Sequence, residues 1–236
     1  MKRLMNGTAS FVLLIVLAFT LSATNAHARL VGVYPAPQYH RGLSSTEFLL
    51  EGGLAVPVGD QADPLYLVSD DPTANPLGLG QGAGYELGFR VRQYMSENFA
   101  VAPAFHFIKM GSASGGLDYD YSQDLGFTVG TWTYKYGLDF NAFMGGPGSS
   151  VQPYLTGGIA LAHNVYQDEL QYGGIYKTSV DNAAYSVGLG FKMKNIELSG
   201  EYTFNRFDSA SLPPDQGNLH YNWDYYVVRM GISFGR

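Results

Sequence analysis

The chain has 236 residues, including 30 glycines, 18 tyrosines and 14 phenylalanines, and only 14% of it is charged, against about 25% in an average soluble domain. This composition excludes a disordered chain and argues against helical bundles and coiled coils, because glycine and aromatics are poor helix formers while aromatics suit strands. A mean hydropathy of -0.06 excludes a polytopic helical membrane protein. The absence of cysteine removes disulfides, thiolate metal sites and cysteine nucleophiles.

At the N-terminus, Lys2 and Arg3 precede an apolar run from Phe11 to Phe19, and Ala26-His27-Ala28 follows. These are the three parts of an export signal, and they predict cleavage after Ala28. The apolar run is too short to span a bilayer as a helix. Loss of Lys2 and Arg3 leaves the exported chain more acidic than the -6 of the full sequence, which disfavours nucleic acid as a partner. Residues 29 to 44 contain Pro35, Pro37 and Gly42 without clear periodicity and form a lead-in to a single domain, residues 45 to 236.

That domain alternates with a period of two, the mark of strands with unlike faces. Phe48, Leu50, Leu54 and Val56 share one parity; Tyr85, Leu87, Phe89 and Val91 follow, then Phe99, Val101, Phe105 and Phe107. In the fourth strand Tyr134, Tyr136, Leu138 and Phe140 share a parity that Leu125, Phe127 and Val129 do not. This predicts either a bulge near Thr131 or a strand that continues beyond the membrane. Val151, Leu155, Ile159 and Leu161 mark the fifth strand, Tyr185 to Met193 the sixth, Ile196, Leu198, Tyr202 and Phe204 the seventh, and Tyr226 to Phe234 the eighth. Pro103 is awkward in a closed sheet, where no edge is free for its missing N–H, and it suggests a bulge or an early end to pairing. Long polar connections at about 58 to 80, 111 to 124, 164 to 181 and 207 to 221 alternate with short turns at about 95 to 98, 144 to 150 and 194 to 195. Both termini therefore fall on the short-turn side, as in an outer-membrane barrel.

The face opposite the large apolar residues is mainly Gly, Ala, Ser and Thr, with Glu51, Glu86, Arg90, Arg92, Asp139, Lys192, Glu197, Glu201 and Arg229 near balance of sign. A narrow lumen requires small residues and paired charges, whereas a solvated exterior would favour Lys, Glu, Asn and Gln. The sequence thus predicts an all-β, eight-stranded antiparallel up-and-down transmembrane β-barrel with its apolar face toward lipid. The competing assignment is a soluble lipocalin-like barrel, with the apolar face turned inward around a greasy ligand.

An export signal, eight alternating segments and the closing strand Tyr226-x-Val228-x-Met230-x-Ile232-x-Phe234 together resemble the small eight-stranded outer-membrane barrels, the OmpA-like and OmpX-like family, over residues 45 to 236. The resemblance implies residence in the outer membrane of a Gram-negative-type cell, contact with outer-membrane lipid and lipopolysaccharide, and recognition of the last strand by the outer-membrane assembly machinery. Gly235 and Arg236 follow Phe234, where the family usually ends on the aromatic. An architecture of this kind says little about task.

Glu51, Glu86, Arg90, Glu201 and Arg229 fall at middle depths on strands one, two, two, seven and eight. Closure makes the last strand a neighbour of both the seventh and the first, so Arg229 is expected between Glu201 and Glu51, with Glu86 and Arg90 continuing the network. Such a set serves either as the gate of a narrow porin-like channel for water, ions or small solutes, or as a plug. The plug is favoured because eight strands enclose little more than their side chains fill.

A lipid-A-modifying enzyme would use rim groups such as His163, close in sequence to Asp168 and Glu169, or His220 in the last loop. No serine has the spacing of a nucleophile beside them, so no catalytic residue, cofactor or metal ligand is assigned. His40 and His106 have still less context. Asp118-x-Asp120 begins like a calcium loop, but Gln123 stands where glycine is required. Loop tyrosines, Tyr119, Tyr121, Tyr166, Tyr172 and Tyr176, offer amphipathic contacts to surface protein partners. The sequence therefore points to a non-enzymatic outer-membrane barrel contributing to envelope integrity or surface interaction through its external loops.

Overall fold

The computed structural model describes residues 46–64, 78–119, 123–144, 149–170, 174–209 and 219–235. The predicted export signal, its cleavage after Ala28 and the lead-in 29–44 lie outside the described residues. Alternation becomes β1 (Thr46–Pro57), β2 (Gly84–Tyr94), β3 (Phe99–Lys109), β4 (Ala113–Tyr119), β5 (Gln123–Phe143), β6 (Gln152–Leu170), β7 (Gly174–Met193), β8 (Ile196–Phe204), β9 (Arg206–Ser209), β10 (Leu219–Asn222) and β11 (Tyr225–Phe234). The order is β3-β2-β1-β11-β8-β7-β6-β5-β4, and pairing of β3 with β5 closes the ring. Successive pieces β3 and β4, β8 and β9, and β10 and β11 continue one another, so the wall is an antiparallel up-and-down barrel of eight staves.

Burial decides which face looks where. Val228 and Met230 are 57% and 62% exposed, while Arg229 between them is 1% exposed. The same contrast runs around the ring, with Leu50, Leu87, Leu155, Leu189 and Leu198 exposed and the ionic residues buried. A lipocalin-like barrel would show the reverse. The outward apolar belt suits acyl chains, and Phe48 stacked on Phe89 and Tyr202 packed edge-on against Tyr226 contribute to its aromatic surface.

Much of what reads as loop is strand. β5, β6 and β7 have 21, 19 and 20 residues, whereas about 9 to 11 suffice to cross a bilayer. Segment 164–181 consists largely of the paired ends of β6 and β7, 111–124 contains β4 paired with β5, and 207–221 includes the β9–β10 hairpin. Strands that leave the bilayer lose the apolar outer face on which sequence alternation depends, yet their backbones still satisfy one another.

β5 keeps one register with β6 from Phe127↔Leu170 to Phe143↔Tyr154, so it carries no bulge near Thr131. The extra residue lies on the opposite stave: Lys109 pairs with Trp132 and Ala113 with Val129, so three residues between β3 and β4 face two on β5. Phe127 and Val129 are buried inward residues because outside the membrane the outer face of the wall meets water. Pro103 causes neither a bulge nor an early end. Arg90↔Ala104 and Gln93↔Val101 have the same register on either side of a two-rung gap, and Pro103 pairs with Leu138 on its other flank. The expected two-residue turn joins Met193 to Ile196, with Lys194 in the left-handed region at φ 54°.

Candidate functional site in the barrel interior and its outer mouth

The register brings the middle of the lumen together around Gly53, which lies opposite Arg229 on β11 and Glu86 on β2. Arg229 donates to both oxygens of Glu201 at 2.9 Å and to Glu86 at 3.0 Å. Glu51 is not its partner, contrary to the expectation from strand order and depth. It lies opposite Gly231 and Gly88, one inward position toward the turn end from Gly53, and accepts two bonds from Arg90 at 2.6 and 2.8 Å. Arg90 also lies 3.4 Å from Asp139. Lys135 donates to Glu201 at 2.9 Å, and His106 Nδ1 lies 2.5 Å from Glu86. The five charges singled out from the sequence are thus in one level of the lumen, all buried, with Asp139, Lys135 and His106 joining them.

A second knot fills the turn end. Arg92 binds Asn141 and Glu47 at 3.0 Å and Glu197 through both guanidinium nitrogens, with Phe143 and Tyr154 rings beside it. Lys192 pairs with Glu47, and the Tyr94 hydroxyl donates to the same carboxylate at 2.9 Å. Small residues make the room: a Cβ on Gly190 would lie 2.4 Å from the Tyr154 ring. Burying a charge is tolerable only when it is paired and hydrogen-bonded, and each carboxylate of these two levels meets a Lys or Arg. Glu47 and Lys135 escaped the sequence reading, although their parity already placed them inward. His106 shares the parity of the buried residues of β3, but nothing local reveals its carboxylate neighbours.

Toward the outside the interior holds fewer charges and becomes largely apolar. The described ends of the first long connection, 58–64 and 78–83, fold back into the opening: Gln61 donates to Thr131 at 2.8 Å, and Thr131 donates to Gln81 at 2.7 Å. Leu79 from the same connection joins Phe127, Val129, Phe207, Tyr221 and Trp223 in one buried cluster. Side chains thus close the lumen at three levels, and Arg90, Arg92, Arg229 and Trp223 are at most 1% exposed.

The rim histidines have carboxylate partners other than those nearest in sequence. His163 Nδ1 lies 2.7 Å from Asp181 across the β6–β7 pair, while Asp168 has the opposite parity and faces inward. His220 Nδ1 lies 2.7 Å from Asp208 in the β9–β10 hairpin. Both pairs are at least partly exposed. The side chains of Asp118, Asp120 and Asp124 lie outside the described residues, and among the described residues no group of three metal-ligating side chains occurs.

No protein family and no curated protein matches the chain. Among solved structures, Ail, the attachment invasion locus protein of Yersinia pestis, is similar with 15% identity and a TM-score of 0.47, over 80% of this chain and 99% of Ail. OprG from Pseudomonas aeruginosa is similar with 17% identity and a TM-score of 0.47, over 83% of this chain and 99% of OprG. A major outer membrane protein from Thermus thermophilus shows 12% identity and a TM-score of 0.48, over 80% of this chain and 100% of its own.

Proposed function

We propose that this protein is a non-enzymatic barrel of the outer membrane that works at the cell surface, through the sheet its longest strands raise above the lipid. The observation that carries the proposal is the open edge of β7. Its lower half, Tyr185 to Met193, is bonded to β6 and β8, whereas among the described residues Gly174 to Ala184 pair as a strand with β6 alone, Asn182 reaching Arg206 of β9 through its side chain only. β4 likewise ends the sheet. An unpaired edge offers a row of N–H and C=O groups that an extended segment of another protein can continue. Exposed Ile175, Tyr176 and Lys177 flank that row with apolar, aromatic and cationic contacts.

The belt supports residence among outer-membrane lipid and lipopolysaccharide, and the alternating exposed residues of β11 suit recognition by the assembly machinery. The filled interior weighs against a porin-like pathway. Binding of barrel-bearing proteoliposomes to immobilised extended peptides tests the reading. Deleting residues 168–176 rejoins Gln167 and Lys177, which already face each other, and, by shortening the edge and removing Ile175 and Tyr176, should weaken binding while heat-modifiable migration persists. Peptides with N-methylated backbones should not bind. Undiminished binding by the trimmed barrel would refute the proposal, as would reproducible conductance steps in planar bilayers that disappear on Glu201→Gln.

A further inference from the structure

The seventh and eighth staves are interrupted at one level. β8 ends at Phe204 and β9 begins at Arg206, while β10 ends at Asn222 and β11 begins at Tyr225. Asn205 and Asp224 hold each other across this break: the Asn205 N–H donates to the Asp224 carboxylate at 2.9 Å, and the Trp223 N–H donates to the Asn205 carbonyl at 2.9 Å. The Asn205 side chain is pinned to the wall by Asn164 at 2.8 Å and Asn182 at 3.0 Å. Above the break β9 and β10 form a sheet of their own, and among the described residues neither pairs with another strand. The hairpin has two unlike faces. Asp208 and His220 point to solvent, whereas Phe207 stacks on Tyr221 at 5.5 Å over the mouth, packed with Trp223, Leu79, Phe127 and Val129.

We propose that the β9–β10 hairpin is a hinged flap over the outer mouth, which lifts as one piece about Asn205 and Asp224 and turns its aromatic face to the outside. The bonds at the break complete the wall below it, so motion above the break opens no strand pairing of the barrel. Two carboxylates hold the roots of the flap in the closed position: Asp224 accepts from Arg206 at 2.8 Å, and Asp60 of the first connection accepts from the Asn222 N–H at 2.6 Å. Bonds to charged groups of this kind are stronger than neutral ones. Closure also has a cost. The Trp223 indole N–H and the Tyr221 hydroxyl are buried without a hydrogen-bond partner among the described residues, and water satisfies both once the flap lifts. Aromatic packing and two root bonds set against two unsatisfied polar groups make an element that opens locally, well below the cost of unfolding the barrel. The flap is independent of the β7 edge, so a failure of peptide binding there leaves it untouched.

The chain has no cysteine, so one introduced thiol is a unique reporter. Val129→Cys places it beneath the flap at a site 2% exposed, and Val227→Cys places it at a site 1% exposed in the barrel below. In the folded, detergent-solubilised barrel the Val129 thiol should react slowly with a water-soluble maleimide, and the Val227 thiol should stay inert. Arg206→Ala and Asp60→Ala each remove one root bond and should each speed the Val129 reaction roughly tenfold, as loss of a hydrogen bond to a charged group does. The amides bonded between β9 and β10 should keep their protection from exchange, because the hairpin lifts whole. An inert Val129 thiol in the parent and both variants, equal acceleration at Val129 and Val227, acceleration by Asp60→Ala alone, or loss of hairpin amide protection at the rate of thiol labelling would each overturn the proposal. Heat-modifiable migration reports folding, and if a root variant does not fold, the contrast between the two thiols in the otherwise unaltered barrel, taken with the amide protection, decides alone.

Discussion

Glu86 and Arg229 bond at 3.0 Å across Gly53, the residue of β1 that stands level with both and has no side chain to separate them. Removing Arg229 takes away the Arg partner of Glu86 and leaves it His106, whereas Glu201 keeps its bond to Lys135. Arg229→Met is expected to cost about 3 to 5 kcal/mol, the usual loss when one partner of a buried pair is taken away. Adding Glu86→Gln should restore most of it. Urea unfolding of the refolded barrel checks both.

Gly190 faces the Tyr154 ring so closely that an added Cβ would lie 2.4 Å from it. Gly190→Ala should therefore destabilise the barrel by about 1 to 3 kcal/mol, as overpacking does. Tyr154→Leu should relieve that cost in a double-mutant cycle, although it also removes the hydroxyl bonded to Glu197. Additive effects would show that the two positions are not in contact.

Met230 lies on the belt at 62% exposure. Met230→Lys should cost about 2 to 4 kcal/mol in lipid, as a cation near the midplane does. The same change at Ser179, exposed on the part of β7 that pairs with β6 alone, should cost almost nothing. Equal effects in vesicles would contradict the outward orientation of the apolar face.

Asp168 has a folded-state pKa raised by burial, so its ionised form detracts from stability above that value. The penalty fades as pH falls through the raised pKa toward the ordinary 3.8. Asp168→Asn should remove this dependence and leave the β6–β7 hairpin slightly more protected at neutral pH. The effect is small because the group is only partly buried. Amide exchange of the hairpin across an acid titration measures it.

The alternation of Tyr226, Val228, Met230, Ile232 and Phe234 with Arg229 and its neighbours gave away a stave and its two faces, because lipid on one side and a lumen on the other act on every residue of a crossing strand. That information is local, so the sequence alone determined eight staves, which of their faces looks outward and most of the inward charges, though not Glu47 and Lys135. It did not determine which charges meet. A period of two is unchanged by shifting one strand against another by two residues, and only the register put Arg229 beside Glu86 and gave Glu51 to Arg90. Nor did it reveal the raised ends of β5, β6 and β7, or Asp181 as the neighbour of His163. Beyond the bilayer the outer face meets water, the alternation weakens or inverts as at Phe127 and Val129, and backbone pairing between distant segments decides the structure.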